Sequence, residues 1–465
     1  MNILFISPNR ARTPLPVMPA GACIAAEVAA EAGHHVTMLD LMFEKNPDAA
    51  LSRAIAGTAP EAVCISVRNI DNNAMASPAS YVDFLPGMVQ KIRSLSSAPV
   101  IIGGGSVGVM PGELLRRSGA DFAITGDAGN GFTGLLQRIA DGTQSAASPA
   151  VLPGSTAGDS HTPIVPDYGR WINSGRYRAA MASVPVRTKS GCGFACAYCT
   201  YGSINGKKVK RRGPAEVARA IEKGIAQGFR DFEFVDDVFN FPKEHAIAVC
   251  RAIAPLRGQA RFQCLELNPL FLDDELLTEM ERAGFNAIGV TVESASDKVL
   301  RGLDKGYGAK EVRAAAAAVS RHGIRCMWLF MLGGPGETEE TVRQTLAFAE
   351  GAMRPGDMGY ITCGIRLYPG TPLAQTARAE GLLAATPDEM LEPFFYCSPA
   401  IPFPAMQNMV EDAARRNPQF HIAGERHPRF ANSLLKIGGL LGLRPPLWQY
   451  SPMMKRTLNV LSFHP

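Results

Sequence analysis

Three of the chain's ten cysteines, Cys192, Cys196 and Cys199, fall within the stretch GCGFACAYCTYG. Thiolates spaced this closely hold metal or exchange electrons. A structural zinc asks for four ligands, usually in two separated pairs. No second Cys/His pair is in the sequence, where His245, His322, His421 and His427 are isolated. A redox dithiol needs only Cys196 and Cys199 and leaves Cys192 idle. An iron–sulfur cluster is held by thiolates, and three of them leave one iron open to bind a substrate or cofactor. The other seven cysteines (Cys23, Cys64, Cys250, Cys264, Cys326, Cys363, Cys397) are scattered, several inside apolar runs, and read as buried small hydrophobes.

The elements around the cluster show how it is positioned. From Val184 onward, strand candidates VPVRTKS, DFEFVDD, RFQCLEL, AIGVTVES, RCMWLFMLG and YITCGIRLY alternate with helical stretches such as PAEVARAIEKGIAQG and DDELLTEMERAG. Six such repeats predict a barrel, or an incomplete one, whose chemistry sits at the carboxyl ends of its strands. The cysteines follow the first strand directly. Ahead of this series, NILFIS, HVTMLDL, AVCISV, PVIIGGG and FAITGD predict five strands of a parallel, doubly wound sheet over residues 1–142. Such sheets take ligands at the carboxyl edge. A Gly/Ser/Pro-rich stretch predicts a linker over 143–180, the barrel spans 181–400, and 401–465 reads as a small, mostly helical cap.

The C-x3-C-x2-C spacing after a first barrel strand, with Tyr198 before the third cysteine, resembles the radical S-adenosylmethionine (SAM) superfamily. The resemblance implies a [4Fe–4S] cluster on Cys192, Cys196 and Cys199 whose open iron chelates SAM. It implies further SAM contacts at Tyr198, at Asp236 and Asp237 ending the second strand, at Glu293 and Ser294 ending the fourth, and at Gly333 and Gly334 in MLGGPGET. Arg211 and Arg212 read either as partners of a ligand charge or as an exposed helix start. No catalytic base is assigned.

A doubly wound domain ahead of such a barrel resembles the cobalamin-binding radical SAM proteins. On that resemblance Gly103, Gly104 and Gly105 would lie along the cobalamin nucleotide tail, Gly126 would belong to a further cobalamin-binding turn, and Arg68 would lie beneath the corrin. The alternative for Arg68 is a salt bridge with Asp71. The turn GDAGNG departs from the Gly-Glu-Gly-Glu turn common in relatives, and the Asp-x-His-x-x-Gly pattern is absent, so no His ligand to cobalt is expected. The implied enzyme is a cobalamin-dependent methyltransferase acting on an unactivated carbon of a small molecule. The alternative is cyclisation, rearrangement or oxidation without methyl transfer, with the front domain not necessarily binding cobalamin.

With 46% apolar residues and a net charge of +4, the chain reads as globular, with no nucleic-acid footprint. No apolar run reaches 18 residues and MNILFISPNR does not read as a signal peptide, so the expectation is a cytoplasmic protein. A flavodoxin- or ferredoxin-like electron donor is the expected protein partner. The tail ANSLLKIGGLLGLRPPLWQYSPMMKRTLNVL reads as amphipathic helices edged by Lys436, Arg444, Lys455 and Arg456, packed on the barrel or lying on a membrane surface.

Overall fold

The computed structural model describes residues 1–12, 15–144, 148–155, 162–424, 443–453 and 455. Its first sheet is built from β1 (Asn2–Ser7), β2 (His35–Asp40), β3 (Ala62–Ser66), β4 (Val100–Gly103), β5 (Phe122–Thr125) and β6 (Ala150–Pro153). All pair in parallel, in the order β2-β1-β3-β4-β5-β6. Whereas the edge strands β2 and β6 are partly exposed, the inner strands of such a parallel sheet are covered on both faces and read as apolar runs. β1 shows how: Ile3 and Phe5 enter one core with the helices Ala20–Glu31 and Asn130–Ala140, while Leu4 and Ile6 enter the other with Pro47–Thr58, Leu85–Leu95 and Pro111–Ser118.

The second sheet comprises β7 (Val184–Val186), β10 (Asp231–Phe234), β11 (Arg261–Leu267), β12 (Phe285–Glu293), β13 (Arg325–Leu332), β14 (Met358–Cys363) and β17 (Phe420–Ile422), again all parallel. A small hairpin, β8 (Lys189–Ser190) with β9 (Lys210–Arg211), carries the cysteine loop, and β15 (Ile365–Arg366) pairs with β16 (Phe395–Tyr396) beside the sixth barrel strand. The strand order β17-β14-β13-β12-β11-β10-β7 leaves β7 and β17 at opposite edges, an open barrel.

Two differences from the sequence reading stand out. β6 comes from the expected linker, extending the front sheet to six strands. β17 comes from the expected helical cap and adds a seventh barrel strand. Both are too short, at four and three residues, for periodicity to reveal them. Most of the expected amphipathic tail lies outside the described residues. Within 443–453, Asn286 donates to the Pro445 carbonyl at 3.0 Å, seating this piece by the amino end of β12. Among the described residues no helix is long and apolar enough to cross a membrane.

Candidate functional site

The cysteine loop leaves β8 and is tied down at several points. The Cys192 amide donates to Gly206 O at 3.0 Å, Ala197 N donates to Leu303 O, and Leu373 N donates to Ala197 O. Gly191, at φ +91°, has no room for a Cβ against the Lys208 carbonyl, so hairpin and loop pack backbone to backbone. Phe194 packs against Phe241 and Phe271, with centroids 5.0 and 5.9 Å away, an aromatic cluster beside the loop.

Burial raises the pKa of all three thiols, that of Cys199 to about 12, and the neighbouring thiols push Cys199 the same way. Each therefore lies within another's field. Among the described residues no three His, Cys, Asp or Glu side chains converge on a single metal ion. A cubane asks for something else, because each thiolate binds a different iron and the sulfurs stand apart by the width of the cluster. Three thiols on one short loop, within each other's field and with no fourth ligand, fit that group, and its charge would take them as thiolates.

Beside the loop lies a buried triad. Tyr198 donates its hydroxyl to Glu293 Oε1 at 2.7 Å, and Lys305 Nζ reaches both Glu293 Oε1 and the Tyr198 hydroxyl oxygen at 3.0 Å. Burial is the largest influence on Lys305 and opposes its charge, but Glu293, Tyr198, Tyr307 and Cys196 together outweigh it and hold the amine well above its usual range. Lys305 in turn lowers the pKa of Cys196 against the trend of burial. Glu293 sits at φ +61°, where the β12–β13 register slips between Thr291 and Glu293. A bulge of this kind re-aims a side chain. A buried carboxylate beside a buried ammonium complements the α-ammonium and α-carboxylate of an amino acid. Lys305 was not singled out from the sequence, since a lysine in LDKGYG looks like any loop lysine.

The other residues expected around SAM are placed differently. Both oxygens of Asp236 are taken by Thr188 and Lys189, the latter through a buried ion pair of 2.7 Å. Asp237 accepts from Gly191 N and from Asn205 Nδ2 at 2.6 Å. These two aspartates brace the loop from below. Ser294 turns away to Thr345 and the Ser296 amide, anchoring the strand end to the helix Glu339–Ala352. Gly333 donates its amide to Glu337 and accepts from Ser398 N. A Cβ at Gly333 would crowd Met406, and one at Gly334 would crowd Leu303. The chain's own packing thus calls for both glycines. Arg212 is held by Thr162 and Glu216, whereas Arg211 is exposed.

In the front domain, Gly103, Gly104, Gly105 and Gly126 all line one cavity of about 320 Å³ at the carboxyl edge of the sheet. Asn205, Arg187 and Arg212 of the barrel close it. The cavity and the cysteine loop therefore share a wall, since Asn205 also holds Asp237. Arg187 reaches across to Asp127 of the GDAGNG turn. Arg68 lies in the cleft between the domains, reached by solvent yet enclosed enough for burial to lower its pKa, with Glu233, Tyr201 and Tyr81 in its field. The salt bridge weighed for it does not form, because Asp71 pairs with Arg366 instead, at 2.6 Å. Glu266, also missed from the sequence, is pushed up to about 8, by burial first and then by Glu293.

A doubly wound sheet with a glycine-lined cavity, joined to an open barrel with a three-thiol loop, defines a two-part cofactor-binding architecture. Residues 186–349 match the model of the radical SAM superfamily and residues 6–136 that of the B12 binding domain. The chain belongs to the cobalamin-binding radical SAM proteins. It is 28% identical over 203 residues to an uncharacterized methyltransferase of Pyrococcus horikoshii, covering 43% of this chain and 42% of that protein. It is 21% identical over 415 residues to the tryptophan 2-C-methyltransferase of Streptomyces laurentii, covering 73% of this chain and 69% of that one. The structure of the radical SAM methyltransferase TsrM from Kitasatospora setae, with tryptophan and a SAM analogue bound, superposes with a TM-score of 0.83 at 21% identity, over 99% of this chain and 98% of that one. At that identity the likeness speaks for the fold.

Proposed function

We propose that this protein is a cobalamin-dependent radical SAM methyltransferase acting on a carbon of a small molecule. The carrying observation is the shared wall: Asn205 lines the front cavity and, through Asp237, holds the loop bearing Cys192. Bound together, a [4Fe–4S] cluster, SAM and cobalamin supply a 5'-deoxyadenosyl radical and a transferable methyl group. The chain's own part is to hold, orient and shield. Cys192, Cys196 and Cys199 would hold the cluster. Glu293 would accept the ammonium of SAM and Lys305 would pair with its carboxylate, with Tyr198 keeping both in register. The cavity glycines would admit the cobalamin tail, and Arg68 would stand below the corrin, where a cation disfavours a lower ligand. Phe194, Phe241 and Phe271 would shield one side of the loop.

The two related methyltransferases support the methyl-transfer reading, one of them named for tryptophan. The chain spans 42% of the first, so substrate and outcome belong to this proposal. A cytoplasmic location and an external electron donor are part of it too. The test is anaerobic purification, cluster reconstitution, addition of hydroxocobalamin and desalting, followed by analysis of SAM products. One cobalamin per chain, with S-adenosylhomocysteine and 5'-deoxyadenosine formed together, is expected. 5'-Deoxyadenosine alone would move the assignment to a radical reaction without methyl transfer.

A further inference from the structure

Four cations stand within five residues directly after the cysteine loop: Lys207, Lys208, Lys210 and Arg211. All four are exposed, and among the described residues none forms an ion pair. Some exposed cations elsewhere are paired: Arg321 with Asp274, Arg343 with Glu339 and Glu340, Arg415 with Asp412, Arg116 with Asp388. Four exposed, unpaired cations on one short hairpin present a localised positive field.

The hairpin is also fastened to the loop that would hold the cluster. β8 and β9 pair through Lys189↔Arg211 and Ser190↔Lys210. The Cys192 amide donates to Gly206 O, one residue before Lys207, and the Lys208 carbonyl presses on Gly191. One turn of backbone separates these cations from a cysteine of the cluster motif.

We propose that this hairpin is the docking surface for an acidic one-electron carrier protein. The inference rests on the cluster reading above. In the step it serves, the carrier's reduced flavin or iron–sulfur centre loses one electron and the oxidised cluster gains it; no bond forms or breaks. The sequence GKKVKRRG holds no aromatic side chain for bases to stack on, and the net charge of the chain is only +4, which favours a protein over RNA as the partner. Opposite patches act mainly on the encounter rate and are screened by salt, with a Debye length of about 10 Å at 0.1 M.

The experiment compares the full chain, cluster rebuilt, with a fourfold variant carrying Lys207→Gln, Lys208→Gln, Lys210→Gln and Arg211→Gln. Cluster reduction is followed by stopped flow with flavodoxin hydroquinone and, separately, with dithionite, which needs no docking. The second-order rate with flavodoxin is expected to fall about tenfold or more at low salt in the variant. The wild-type rate should drop steeply as salt rises and the dithionite rate should stay the same. An unchanged flavodoxin rate, or a wild-type rate indifferent to salt, overturns the proposal. So does tRNA binding that the variant loses while its flavodoxin rate holds. Should the variant lose its cluster, the single changes Lys208→Gln and Lys210→Gln decide by the same rates. Should the wild type itself take no cluster, the cluster reading falls, and the surface is judged by binding of oxidised flavodoxin to the metal-free chain. Salt-sensitive binding that the fourfold variant abolishes then supports it, and no such binding overturns it.

Discussion

Asp71 of the front domain and Arg366 of β15 meet at 2.6 Å across the domain boundary, both buried, 295 residues apart in sequence. Arg366 also donates to the carbonyls of Leu367 and Met390, and lies 4.8 Å from the Tyr368 ring centroid. Asp71 accepts from Asn73 N, and Tyr368 donates to Asn73 Oδ1 at 2.8 Å. The pair plugs the segment after β3 into the barrel rim, three residues beyond Arg68. A buried ion pair adds little net stability, but removing one partner strands a charge at a cost of about 3–5 kcal/mol. Arg366→Met should therefore lower the urea midpoint sharply. The double variant Asp71→Leu/Arg366→Met should recover most of the loss, a comparison made by equilibrium unfolding.

That contact shows what the sequence could and could not tell. The cysteine loop was legible because its chemistry is local: three thiols in eight residues after a strand leave few uses. The strands β1, β3, β4 and β5 were legible because both faces are buried and each reads as an apolar run. Polar residues at strand ends were legible as positions but not as partners. Asp71 looked like the partner of its neighbour Arg68 and belongs to Arg366. Asp236 looked free for a ligand and is saturated by Thr188 and Lys189. Lys305 and Glu266 carried no local signal, since only the folded barrel brings them near Glu293.

Lys305→Met should weaken SAM binding selectively. It leaves Glu293 with Tyr198 alone and removes the cation proposed above to pair with the SAM carboxylate. A loss of about tenfold or more in SAM affinity is expected, the order of one charge-assisted contact, about 1.4 kcal/mol per tenfold. Iron content should stay near wild type, because no cysteine is touched. Equilibrium dialysis against SAM, with an iron assay on the same sample, checks both. A parallel loss of iron would make Lys305 a cluster residue first.

The cavity glycines should differ in kind. At Gly104, φ +102° and the backbone of Val67 leave a methyl group nowhere to go, so Gly104→Ala should destabilise the front domain by more than the roughly 1–2 kcal/mol of the left-handed backbone alone. Gly126, at φ +75°, has only Ser155 Oγ at 4.0 Å, so its methyl would point into open space. Gly126→Ala should cost about 1 kcal/mol and fold normally. Reduced cobalamin retention by this variant at unchanged secondary structure would tie the turn to the ligand. Circular dichroism melts beside cobalamin absorbance after desalting separate the two effects.

Glu266 gives the protein a pH dependence of stability with a definite sign. Its carboxyl is raised from an ordinary 4.5 to about 8, chiefly by burial and then by Glu293. The folded state thus holds a proton that the unfolded chain releases. Between pH 4.5 and 8 the folded form binds more protons, so this residue lowers stability as pH rises through that window and levels off above it. Glu266→Gln keeps the shape without the titration. Its stability relative to wild type should climb from pH 5 to pH 8 and then stay flat, read from urea midpoints at each pH. A difference that does not change with pH would mean that Glu266 titrates in the fold as it does in the unfolded chain.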